Sequence, residues 1–395
     1  MSLRSFMDGI APQFERGGRY QVFYPVYEAI DTALYTPGDV TAGASHVRDG
    51  LDLKRIMMTV WAAAWIPALV GCYFVGLIAL DALQEVDAAS MEGWRGAVLN
   101  VLISYDPSSV WDCVVYGLTF FLPLYIVVFI AGIAFEILFA SKRGHEVNEG
   151  FFVTSILFTL TLPPTTPLWL AAIGIIFGVV IGKEVFGGTG KNFLNPALVG
   201  RAFLYFAYPV QMSGDAVWVA VDGYTRATAL GQAAIGEPLD ITWLQAFLGS
   251  QAGSLGETSE LAILVAALIL LGTRIASWRI MLGCVVGLVV TVLVFNTVQS
   301  STNPMFALPF YWHLVLGGFM FGTVFMATDP VSAAMTDTGR LIFGIMIGLM
   351  TALIRVVNPA FPEGVMLAIL FGNLFAPLID YFVMQRNIKR RLARA

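Results

Sequence analysis

Between residues 56 and 384 the chain alternates long apolar runs with short polar gaps, and the runs are apolar on every face instead of carrying one hydrophobic stripe. Helices of that kind belong in lipid or deep in a large core. Because a hydrocarbon layer of about 30 Å takes about 20 apolar residues per helix, the runs predict spans near 56–80, 114–140, 166–183, 197–212, 259–276, 279–296, 311–328, 339–357 and 364–384. The run 151–162 is shorter and meets Pro163-Pro164, so it reads as a tenth, broken helix. The predicted fold class is an all-α integral membrane protein of about ten transmembrane helices.

Charge placement orients the spans, since cytoplasmic loops carry the excess of Lys and Arg. With residues 1–55 inside, Lys142-Arg143, Lys183 with Lys191, Arg274 with Arg279, Arg340 and the tail Arg386, Lys389, Arg390, Arg391 and Arg394 all fall inside. The gaps around 81–112, 163–166, 297–310 and 358–363 fall outside and hold one basic residue, Arg95. Both ends are then cytoplasmic, and the long polar segment 213–258 faces outward. No apolar run precedes residue 56, so the first span is expected to act as the insertion signal.

Two strings recur at the same stage of each half. Leu162-Pro-Pro-Thr-Thr-Pro167 is echoed by Ala327-Thr-Asp-Pro-Val-Ser332, and Leu198-Val-Gly-Arg-Ala-Phe203 by Leu370-Phe-Gly-Asn-Leu-Phe375. Five spans per half is an odd number, so the halves are expected to be inverted repeats. Such repeats place binding sites near the midplane, where broken helices free backbone groups, and Pro163-Pro164 and Asp329-Pro330 are the candidate breaks. A proline kink kept only for packing is the other reading.

The organisation expected is an extension 1–55, a first five-helix repeat 56–212, an outward loop 213–258, a second repeat 259–384 and a basic tail 385–395. The loop is too long to be a plain connection, and Trp218, Tyr224 and Trp243 among its glycines predict that it folds onto the helices. Asp222-Gly223 signals a turn. Beyond it Thr225 and Thr228 flank Arg226, a hydroxyl pair with a cation able to hold a phosphate; an ordinary polar turn would look the same.

Of the 395 residues 57% are hydrophobic and 12% charged, about half the charge of a soluble domain. The net charge of −5 offers no basic footprint for nucleic acid. Cys72, Cys113 and Cys284 lack any CxxC spacing and His46, His145 and His313 are dispersed, so a disulfide framework, a zinc site and an iron–sulfur cluster are not expected on this chain.

Long strings carry a resemblance: Ser45-His-Val-Arg-Asp with Asp52-Leu-Lys-Arg, His145-Glu-Val-Asn-Glu-Gly-Phe-Phe152, Lys183-Glu-Val-Phe-Gly-Gly-Thr-Gly-Lys-Asn-Phe-Leu-Asn-Pro196, Met326-Ala-Thr-Asp-Pro-Val-Ser332 and Arg355-Val-Val-Asn-Pro359. Over nearly its whole length the chain resembles the NqrB/RnfD family, membrane subunits of sodium-translocating NADH:quinone reductases and of Rnf ferredoxin:NAD complexes. The 55 residues before the first span favour the quinone-reductase branch.

The resemblance implies a urea-transporter-like fold in the bacterial inner membrane. It also implies a six-subunit complex, transfer of electrons from NADH toward ubiquinone, and coupled sodium movement. In the family the second hydroxyl of an S/T-G-A-T motif is joined to FMN by a flavin transferase. Thr225-Arg-Ala-Thr228 is similar, with Arg226 where the family usually has Gly, so the attachment carries over to Thr228 and Arg226 becomes a candidate partner of the phosphate. A non-covalent riboflavin, also implied, is placed at Asn192, Asn195, Thr154 and Asp329. His145, Glu149, Phe151 and Phe152 are the candidate quinone contacts, with an interfacial aromatic anchor as the alternative.

Ionisable residues within a span are costly and mark function by default. Glu136, Asp329 and Asp380 are therefore candidate sodium ligands, carboxylates being suited to a hard cation. Glu136 and Asp380 have a second reading, snorkelling to Lys142 or Arg386. The rival functions are an Rnf-type subunit and a plain channel without redox chemistry.

Overall fold

The computed structural model describes residues 3–394 apart from 16, 25, 26, 28–30, 32–52, 89, 144–146, 148, 359 and 360. Among the described residues there are helices and no strand. Six helical stretches are long and apolar enough to cross a bilayer, and three shorter apolar helices accompany them. The protein is an all-helical integral membrane protein.

Helix α1 (Leu3–Phe14) lies in the extension, where the Tyr27 hydroxyl donates to the Met7 carbonyl at 3.2 Å. The first half holds α2 (Leu53–Glu85), the short α3 (Gly93–Leu102), α4 (Val110–Arg143), the half-length α5 (Gly150–Leu160), α6 (Leu168–Gly182) and α7 (Pro196–Ala207). The segment 213–258 carries α8 (Ala229–Ile235) and α9 (Trp243–Leu248). The second half holds α10 (Glu260–Gly272), α11 (Trp278–Val298), α12 (Phe310–Val315), the single turn α13 (Phe319–Phe321), α14 (Asp337–Val357) and α15 (Val365–Leu392). Both predicted breaks are present, after α5 and after the π-helical turn Gly322–Met326 that continues α13.

Two expected spans are not continuous helices, and one of them, 197–212, breaks at Tyr208 between Pro196–Ala207 and the short turn Pro209–Met212. The run 311–328 is interrupted at Leu316-Gly317-Gly318, because Gly317 sits at φ +67 in the left-handed region that favours glycine. The carbonyls freed there do not go unpaired: the buried Arg355 donates to His313 O at 2.7 Å and to Leu316 O at 2.9 Å. Helix α15 runs on to Leu392 and carries Arg386, Lys389, Arg390 and Arg391 of the basic tail as helical residues.

Helix α11 meets α14 backbone to backbone. A Cβ on Gly348 would lie 2.0 Å from the Cys284 carbonyl, and one on Gly287 would lie 2.2 Å from the Ile345 carbonyl. Small residues four apart on both helices permit this approach, and in lipid such packing replaces the hydrophobic drive.

The segment 213–258 packs on the helices as its aromatics suggested. Val219 and Ala220 are buried in the main core, and the Tyr116 hydroxyl donates to Ala220 O at 2.7 Å. Farther along, Gly256 N–H donates to Leu160 O at 2.8 Å and Leu255 N–H to Leu162 O at 3.2 Å. The 213–258 segment thus satisfies carbonyls that the break after α5 leaves without helical partners.

Candidate functional site

Two cavities flank the breaks: α5 lines the first and its C-cap Thr161 the second, while α7 gives Pro196 and Ala197 to the first and Leu198, Arg201 and Tyr205 to the second. The first is open and holds about 690 Å³ of empty space including its mouth; Thr154, Asn192, Asn195 and Asp329 all line it, with Lys183 and apolar walls from Val153, Leu157 and Phe325. The four residues expected to surround one ligand are therefore brought together from α5, the 183–195 loop and the second break.

Each is held by local bonding. Asn195 caps α7, its side-chain oxygen accepting from Ala197 N at 3.0 Å and Leu198 N at 3.3 Å, which fills first-turn donors with no helical partner. The Asn192 amide donates to Leu194 O at 3.0 Å, and the Thr154 hydroxyl donates to Gly150 O at 3.0 Å. Asp329 accepts from Ser332 Oγ at 2.6 Å and Val331 N at 3.2 Å, turning its carboxylate into the cap of its own break.

Beside this cavity lies a charge cluster. The Glu136 carboxylate is paired with Lys183, both almost wholly buried. Lys183 also stands 3.9 Å from Glu184, whose other oxygen takes Arg143 at 3.0 Å. The partner of Glu136 is thus Lys183, not Lys142 at the interface. Asp380 likewise does not reach for Arg386: it accepts from Met335 N, Thr336 N and Thr336 Oγ1 at 2.6, 2.9 and 2.6 Å.

The second cavity, about 520 Å³ of empty space, is bordered by Arg201, Tyr205, Glu257 and Glu363. A smaller one of about 300 Å³ adjoins it and is lined by Thr228, Ser254, Thr258 and the same two glutamates. Thr228 begins α8, accepting from Gly231 N at 3.1 Å, and is only partly buried. Thr225 and Asp222 are exposed. Arg226, the candidate phosphate partner, is engaged by Asp240 at 2.6 Å.

Tyr224, in the same segment, donates its hydroxyl to Glu85 Oε2 at 2.6 Å. That bond, reinforced by burial, holds the phenol above its ordinary value.

The quinone candidates are split. Phe151 is fully buried, its ring 5.6 Å from that of Phe129, whereas Phe152 is partly exposed and meets Trp61 edge-on at 6.4 Å. Glu149 precedes α5. His145 lies outside the described residues.

Sequence reasoning passed over Arg201, Lys183, Glu257, Glu260, Arg355 and Glu363. The rule that singles out Glu136, a charge within a span, applies equally to Arg201, Arg355 and Glu260. For Glu257 and Glu363 no such signal exists, because both sit in polar connections that look solvated.

A polytopic bundle with two broken half-helices and polar cavities at both ends of them is a membrane protein built to hold polar groups at membrane depth. The chain belongs to the NQR2, RnfD, RnfE family, which it matches over residues 40–389. It is 61% identical to a Na(+)-translocating NADH-quinone reductase subunit from Pseudomonas aeruginosa and to its namesake from Azotobacter vinelandii, each over the full length of both chains. The namesake from Chromohalobacter salexigens is also 61% identical, over all of this chain and 97% of its own.

Proposed function

We propose that the chain is the flavin-carrying membrane subunit of a bacterial sodium-translocating NADH:quinone reductase, an enzyme that moves sodium as electrons pass from NADH toward ubiquinone. The observation that carries the reading is the setting of Thr228. Its hydroxyl matches the attachment position of the family motif, is only partly buried, and opens on a cavity. The chain supplies an acceptor that a flavin transferase can reach, and FMN esterified there would stand on the outward segment.

The residues of the first cavity suit riboflavin. Two carboxamides, a hydroxyl and a carboxylate face a volume walled by Val153, Leu157 and Phe325, the mixture of apolar walls and a few placed polar groups that ligand cavities use. When bound, the two flavins supply electron transfer, and the protein positions and tunes them. Asn192 and Asn195 would orient the polar ring edge, and Asp329 would sit beside it. Of the three carboxylates, Asp329 is the best placed to meet sodium, since it alone of them lines the cavity, whereas Glu136 is paired with Lys183 and Asp380 takes three hydrogen bonds at the start of α14.

In this reading both ends are cytoplasmic, the 213–258 segment is periplasmic, and five further subunits supply the NADH site and the other redox centres. Denatured chain from the purified complex is expected to fluoresce as flavin in a gel. Thr228→Ala should abolish the signal and Thr225→Ala should leave it; flavin that persists without Thr228 overturns the assignment.

A further inference from the structure

Around the cavity that Thr228 lines and the one adjoining it stand two guanidiniums and three carboxyl groups. Arg201 and Arg355 are 6% and 0% exposed, and against them stand Glu257, Glu260 and Glu363, with Glu260 1% exposed. Glu257 lies within the electrostatic reach of Glu363, Arg201 and Arg355, and Arg355 within that of all three glutamates. Two guanidiniums face three carboxyl groups, so one negative charge is left over where all three are ionised. An uncompensated charge in such surroundings is strongly unfavourable.

The oxygen atoms of this region supply a second, independent observation. The Thr258 hydroxyl is 2% exposed, lines the cavity, and has no hydrogen-bond partner among the described residues. Ser254 lines the same space. Gly318 leaves the room: a Cβ there would lie 2.5 Å from Glu257 Oε1, so the carboxylate rests directly on the backbone of the interrupted helix. The lining offers carboxylate and hydroxyl oxygens and neither imidazole nor thiol, the set that suits a hard cation.

We propose that Glu257, Glu363, Ser254 and Thr258 form a binding site for one sodium ion directly beneath Thr228. The excess charge is one, which a monovalent ion cancels and a divalent ion would overshoot. A proton on one carboxyl, which burial favours at Glu257, would cancel it too, but would leave the buried Thr258 hydroxyl without a partner among the described residues. The site lies on the opposite side of the breaks from Asp329, so an ion held here would be close to release on the face that carries Thr228. A reduced group esterified to Thr228 would strengthen the hold, and its oxidation would loosen it, by charge alone.

The choice of ion rests on the sodium-transport reading, and the test separates the two. Sodium NMR line-broadening of the detergent-solubilised whole complex is titrated with sodium chloride at fixed pH and ionic strength, with lithium and potassium as competitors. Glu257→Gln and Glu363→Gln should each weaken one class of bound sodium by about tenfold or more, about 1.4 kcal/mol, and Thr258→Val, which removes no charge, should weaken it less. Lithium should compete and potassium should not. Wild-type titrations in all three variants overturn the site, as does broadening that follows pH and ignores sodium. If Glu257→Gln fails to assemble, Thr258→Val decides. Should wild-type complex bind sodium at this site without moving it across vesicles during NADH oxidation, the transport reading fails and the site stands.

Discussion

Glu136 and Lys183 form a buried ion pair, with side chains 5% and 3% exposed. Together with Glu184 and Arg143 they make a neutral set of two acids and two bases. Breaking one buried pair typically costs about 3–5 kcal/mol because the surviving charge is stranded. Glu136→Gln is therefore expected to lower the melting temperature of the purified complex markedly, and adding Lys183→Met to restore most of it. Equal melting of the single and double variants would show that the pair carries no such weight.

Asp380 is expected to act as a brace. It takes three hydrogen bonds at the start of α14, and Thr336, which it orients, caps that helix through Gly339 N at 3.1 Å. Asp380→Asn keeps an oxygen but loses the charge, so a destabilisation of about 1–3 kcal/mol follows from the usual strength of charge-assisted bonds. Thermal unfolding should register it while the sodium dependence of quinone reduction stays as in wild type. A shifted sodium curve with unchanged melting would place Asp380 on the ion path.

The α11–α14 contact sets a third expectation. Gly348→Ala puts a methyl group 2.0 Å from the Cys284 carbonyl, where backbone, not a flexible side chain, must yield. Overpacking of this kind typically costs about 1–3 kcal/mol, and the helix crossing should widen. Loss of assembled complex on size-exclusion chromatography would register it; wild-type yield and melting would contradict it.

The fourth concerns pH and the 213–258 segment. The Tyr224 phenol is held above the ordinary tyrosine value by its bond to Glu85, so its protonated form is the one favoured in the fold. The anchoring contribution is therefore complete below the ordinary value and is lost as pH rises through the raised one. Limited proteolysis between residues 213 and 258 should accelerate over that alkaline interval, and Tyr224→Phe should show the faster cleavage already at neutral pH. Identical cleavage of variant and wild type would remove the anchor.

Much of this molecule was legible along the chain because lipid imposes a local rule: each span must be long, apolar and internally hydrogen-bonded. Helix existence, the breaks at Pro163-Pro164 and Asp329-Pro330, and the folding of the 213–258 segment all follow from such short-range constraints. Thr154, Asn192, Asn195 and Asp329 line one cavity, a grouping to which motif resemblance, not hydropathy, pointed. Which charges meet was decided only by the tertiary structure. Glu136 and Lys183 are far apart in sequence, and nothing local distinguishes Lys183 from Lys142 as the partner. The break at Gly317 needs Arg355 from another helix to satisfy its carbonyls, and Glu257 and Glu363 become neighbours only once two separate connections fold against the same interrupted helix. Hydropathy is a sum over adjacent residues, whereas charge balance at depth depends on distances across the bundle, and those exist only after the helices have packed.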